Sequence, residues 1–153
     1  MKLATLSKPA DFPLAITVQE LDGSEVQIPF TCIGRTTLDW QPIALARLEK
    51  DANALIDQEE KLQAEQEKTA AAAPEDKPKK RQRIKIPHAE IAKTTEKGLA
   101  EAVAMVREVA GGWGLEIEFS DENIRKAIAL YPGVQAKLWQ EYDARIKGNR
   151  AKN

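Results

Sequence analysis

The side chains able to do covalent or metal chemistry are few. The chain has one histidine, His88, and one cysteine, Cys32. His88 follows Pro87 where a helical pattern begins, which suits a helix start or a surface place better than proton transfer. Cys32 falls on the apolar side of an alternating segment, where cysteine behaves as a small hydrophobe. A structural zinc site needs four ligands at paired spacings, and none are supplied. Gly111-Gly112-Trp113-Gly114 has neither the lysine nor the following helix start of a phosphate-binding loop. Asp121 and Glu122 are adjacent carboxylates, but directly after Ser120 they complement the positive end of a helix. No catalytic, cofactor-binding or metal residue is assigned, no cofactor is expected, and the chain does not read as an enzyme.

Charge points to association. The 153 residues carry a formal net charge of -1. Met1 to Asp76 holds 7 basic and 14 acidic residues, whereas Lys77 to Asn153 holds 16 and 10. Such a dipolar chain suits head-to-tail contact with its own copies or a bridge between unlike partners. Lys77 to Lys85 contains six basic residues and no acid. It could release counterions from nucleic-acid phosphates, but no aromatic interleaves with it for base stacking, and a solvated linker is the preferred reading. One cysteine allows no internal disulfide, which fits a reducing cytosol. No run approaches the roughly 18 apolar residues of a membrane span, and the first residues lack a signal-peptide pattern, so the protein is expected to stay inside the cell.

With so little chemistry, the question becomes which elements present surface. Leu14 to Gln19 alternates apolar and smaller or polar residues, the period of a half-buried strand. Asp22-Gly23 then gives a hairpin signal, and Val26, Ile28, Phe30 and Cys32 share one face of a second strand. Pro29 cannot donate to a ladder, which predicts a sheet edge for this strand. An isolated hairpin is marginal and must pack on a helix or pair with another subunit. Thr36 and Thr37, with Asp39 in the first turn, open a helix. Leu38, Leu45 and Ala52, and Leu48, Leu55 and Leu62, recur every seven residues to about Lys68. That repeat fits either a helix lying on the hairpin or a coiled-coil contact. Residues 69–87 are rich in alanine, proline and lysine and read as a flexible linker.

Beyond the linker, Ile91, Thr95, Leu99, Ala102, Val103, Val106 and Ala110 make a helical stripe, ended by Gly111-Gly112. Trp113, Leu115, Ile117 and Phe119 alternate with smaller or charged residues as an extended stretch. Ser120 caps a helix striped by Ile124, Ala127, Ile128 and Tyr131. Pro132 closes it and is placed to open the last helix, lined by Val134, Leu138, Tyr142 and Ile146. The fold class is α+β, mainly α. The expected organisation is a β-hairpin plus long helix over 1–68 as an oligomerisation module, the linker at 69–87, and a helical partner-binding lobe over 88–148.

Two segments together resemble the phage tail assembly chaperones of long-tailed bacteriophages. Ile16 to Phe30 followed by Arg35-Thr36-Thr37-Leu38-Asp39-Trp40 is similar to the hairpin and helix start of that family. Gly112-Trp113, Phe119 to Ile124, Tyr131-Pro132-Gly133 and Tyr142 are similar to its C-terminal module. The segments stand in the family's order and cover about half of the chain. The long alanine- and lysine-rich linker departs from the pattern and leaves open how the two modules are held. The resemblance implies a transient assembly factor in the host cytoplasm, absent from the mature virion. It would bind the tape measure protein, keep it soluble and recruit tail tube protein; the marginal hairpin and the dipolar charge add expected self-association, and no membrane or nucleic-acid partner is expected.

Large aromatics dominate interface energetics, so Trp40, Trp113, Trp139, Tyr131 and Tyr142 are candidate partner-binding anchors, with core packing as the alternative for each. Arg35 is a candidate interface charge or a plain surface one. Two alternative functions stay open: a small DNA-binding or regulatory protein using the basic linker and helical lobe, and a structural component that remains in the virion.

Overall fold

The computed structural model describes residues 6–72 and 86–148, with backbone alone over 69–72. Of the linker expected at 69–87, residues 73–85, with the basic run from Lys77 to Lys85 inside them, lie outside the described residues, while the backbone of 69–72 is helical. The chain divides into two compact units, Met1–Trp40 with His88–Asn153, and Gln41–Pro87.

The first unit is built on a three-stranded antiparallel sheet. Strands β1 (Phe12–Gln19) and β2 (Glu25–Cys32) pair from Phe12↔Cys32 to Gln19↔Glu25. The pairs Leu14↔Phe30 and Ile16↔Ile28 bury one face, while Pro13, Ala15, Gln27 and Thr31 are exposed on the other, as a period of two requires. The hairpin turn forms where Asp22-Gly23 predicts it. Gly23 takes φ +88°, which costs glycine little, and the Asp22 carboxylate accepts from the Ser24 amide at 2.8 Å. Bonds from the Ser24 hydroxyl and amide hold the Asp22 carboxyl below its ordinary range.

Helix α1 (Thr37–Ala72) begins as expected, with Thr36 and Asp39 bonded reciprocally: the Asp39 amide to Thr36 Oγ1 at 3.2 Å, the Thr36 amide to Asp39 Oδ2 at 3.3 Å. Helix α2 (His88–Val109) runs directly into strand β3 (Ala110–Trp113), followed by α3 (Asp121–Leu130) and α4 (Val134–Ile146). Leu138 and Tyr142 of α4, Ile124 and Ile128 of α3, and Ala102, Val106 and Val109 of α2 are buried together with the apolar sheet face. Ser120 caps α3 as predicted, accepting from the Asn123 amide.

Several local expectations are corrected. Gly111-Gly112 does not cap α2; it lies in β3, which pairs Phe30↔Trp113 and Thr31↔Gly112. This makes β2 the central strand and not the edge that Pro29 suggested. Proline is tolerated there because β3 covers only Phe30 to Cys32. Amide and carbonyl of one residue in an antiparallel strand point the same way. The Pro29 carbonyl accepts from Gly114 at 2.7 Å, so its missing donor faces the end of β3 and leaves the β1 ladder whole. The stretch from Trp113 to Phe119 is not extended either. The Trp113 indole donates to the Ile117 carbonyl at 2.8 Å, closing a bend that leaves Leu115 and Ile117 exposed. Pro132 precedes α4 without opening it, since Gly133 at φ +90° intervenes. Hairpin and C-terminal helices belong to one compact unit.

Candidate functional site

Residues 33–40 lead from β2 into α1. The Ile33 amide donates to the Val109 carbonyl at 2.9 Å, and its own carbonyl accepts from the Tyr142 hydroxyl at 2.7 Å. The Gly34 amide donates to Asp11 Oδ1 at 2.9 Å. Glycine is required there by space: a Cβ would meet the backbone oxygens of Pro9 and Ala10 far inside van der Waals contact.

Arg35 reaches across to α2 and α4. Its Nη1 donates to the Glu108 carbonyl at 2.5 Å and to the Tyr142 hydroxyl at 3.3 Å, and its Nη2 lies 3.7 Å from Glu108 Oε1. The guanidinium also sits 5.8 Å from the centre of the Trp40 ring, a cation–π distance. Trp40 donates from Nε1 to Asp143 Oδ1 at 2.8 Å. It meets Trp139 at 4.8 Å and the Tyr142 ring edge-on at 4.7 Å, while Phe12 stacks on Tyr142 at 5.9 Å. Burial raises the Tyr142 hydroxyl, and the Arg35 bond partly offsets it. For Asp143, burial pushes upward, but bonds from Lys147 and Trp40 win and hold the carboxyl below its ordinary value.

Four of the six candidate anchors, Arg35, Trp40, Trp139 and Tyr142, thus form one cluster, whereas Trp113 and Tyr131 lie elsewhere. Trp40 is 1% exposed and Tyr142 0%; with no surface to offer a partner, both organise the core. Arg35 is held inward by the same bonds. Trp139 is half-buried. Trp113, also half-buried, packs with Phe30 at 6.1 Å and Phe119 at 5.2 Å, and Arg107 lies 5.0 Å over Phe119 while paired to Asp121 at 2.7 Å. Tyr131 donates to Glu20 Oε1 at 2.6 Å and Lys137 to the Thr17 carbonyl at 2.8 Å, tying the α3–α4 turn and the first turn of α4 to the hairpin. Sequence reasoning missed Phe12, Gly34, Glu108 and Asp143. Phe12 alone carried a signal, standing two residues before Leu14 in the strand's alternation.

Cys32 is fully buried, and burial pushes its thiol up to about 12, so at neutral pH it stays protonated and does not act as a thiolate nucleophile. Among the described residues no group of histidine, cysteine, aspartate or glutamate could hold a metal ion, and no helix is long and apolar enough to cross a membrane.

The surface with most to offer a partner is in the second unit. Leu45, Leu48, Leu55, Ile56 and Leu62 of α1 are each more than half exposed. Leu45, Leu48, Leu55 and Leu62 fall at first and fourth places of seven-residue repeats, so one apolar stripe runs down the helix. Isolated exposed leucines are ordinary, whereas several at heptad spacing on one helix, interrupted at the first places by Ala52 and Glu59, make a candidate interaction surface.

A family model described as phage tail assembly chaperone matches residues 1–153. No curated protein and no solved structure gives a significant match.

Proposed function

The chain belongs to the phage tail assembly chaperone family over its whole length, and from that premise we propose that it works by binding the tape measure protein. It keeps that long helical polypeptide soluble and recruits tail tube subunits that later displace it. It acts without cofactor or turnover, associates with its own copies, works in the host cytoplasm and leaves before the virion is complete.

The leucine stripe on α1 is the observation that carries this reading. A helix of 36 residues with an apolar seam open to solvent is shaped to receive an amphipathic helix, and anchors at three- and four-residue spacing are how such helices are held. Trp139, Trp113 and Tyr131 keep accessible surface and serve as further anchors for partners, whereas Arg35, Trp40 and Tyr142 support the fold that presents them.

Co-expression tests the proposal. A tape measure protein that is insoluble alone becomes soluble with this chain and co-purifies with it, and purified particles lack the chain by mass spectrometry. A tape measure protein that stays insoluble in the presence of abundant folded chain sinks the reading. Recovery of stoichiometric chain in particles would make it a virion component.

A further inference from the structure

The charges flanking the α1 stripe are one-sided. With Leu45 as the first place of a heptad, Leu48, Leu55 and Leu62 fall at the fourth place, the seam of a helix pair. On and beside that seam, from Gln41 to Lys68, stand Glu49, Asp51, Glu59 and Glu65. Every base in the same span, Arg47, Lys50, Lys61 and Lys68, falls at the third or sixth place, away from the seam. Arg47 reaches Asp51 along the helix at 3.3 Å, yet the seam and its borders still carry four acids and no base of their own.

That arrangement argues against a second copy as the occupant. Paired parallel, two copies would set Glu59 against Glu59 within the seam and bring no base to any flanking acid. Antiparallel, like flanks face each other, and acid again meets acid or a neutral residue. Flanking charges choose the partner and orientation of paired helices. We infer that the α1 stripe is a docking face for an amphipathic helix of another protein whose apolar seam is bordered by lysine or arginine. This rests on the chaperone reading only in taking the occupant to be another protein's helix.

The test uses the full chain and two synthetic peptides with identical leucine heptads, one with lysine and one with glutamate at all flanking positions. Each exposed ion pair contributes little, but the one-sided excess of acid along the face gives a severalfold preference for the lysine peptide. That preference shrinks at about 1 M salt and is inverted by E49K/D51K/E59K/E65K, whose retained helicity is checked by circular dichroism. Equal affinity for both peptides, or binding to neither, overturns the inference. So does self-association, seen by sedimentation, that L48E/L55E/L62E abolishes. If the charge-reversed variant still solubilises a tape measure protein as well as the native chain does, this assignment of the face fails while the chaperone reading stands. If the peptide preference holds but the native chain solubilises no tape measure protein, the chaperone reading fails instead.

Discussion

At Cys32, loss of hydration lifts the thiol from 9.0 to about 12. In the unfolded chain it ionises near 9.0, while the native fold keeps it protonated. The stability this represents is whole below pH 9 and drains as pH rises toward about 12. Tyr142, also raised by burial, pushes the same way. C32A should therefore flatten the alkaline fall in the denaturation midpoint, and an unchanged slope would contradict the assignment. Steric demand at Gly34 gives a second expectation. G34A must displace the backbone at Pro9 and Ala10 and should lose about 1–3 kcal/mol in urea unfolding, where a variant as stable as the native chain would refute the close approach. Both residues could be read from sequence only as apolar and small. Cys32 was legible as a core residue from its alternation with Ile28 and Phe30. Nothing near Gly34 in the chain announces that the segment before β1 presses on it.

Elements differ in how they use the same residue type. Leu138 of α4 is fully buried, while Leu55 of α1 is 63% exposed. L138A should lose about 2–5 kcal/mol through transfer and cavity, and L55A no more than about 0.5 kcal/mol. Urea midpoints compare them directly, and a comparable loss for L55A would mean that the stripe is covered in the free protein. Thr36 contributes a cap to α1, so T36A should lose about 1 kcal/mol of stability. The Asp39 carboxyl is held below its ordinary value by bonds from Thr36, so its contribution is present at neutral pH and is lost as pH falls through that lowered pKa. T36A should weaken this acid dependence as well. Helix starts at Thr36 and Ser120 were legible because capping is local chemistry. The end of α2 was misjudged because glycine breaks a helix equally well by capping it or by entering a strand.

For the whole molecule, the sheet is completed by a strand some 80 residues from the hairpin in sequence. Residues 1–40 and 88–153 form one unit, held by β2–β3 pairing, the Arg35–Glu108 contacts and the Tyr142–Ile33 bond. Limited proteolysis within residues 41–87 should leave the two end fragments associated through gel filtration, with near-native tertiary circular dichroism. Fragments that separate at once under native conditions would show two independent lobes.

Periodicity, turn chemistry and capping by themselves determined the hairpin, the four helices and the apolar stripe of α1. Each depends on residues within a few positions of one another, so neighbours along the chain carry the information. Only the tertiary structure decided that β2 is central, that Trp40 and Tyr142 close a core while the α1 leucines remain open, and that hairpin and C-terminal helices are one body. Those outcomes turn on which buried faces and backbone donors meet across long loops. A local pattern supplies a face for burial but does not name its partner.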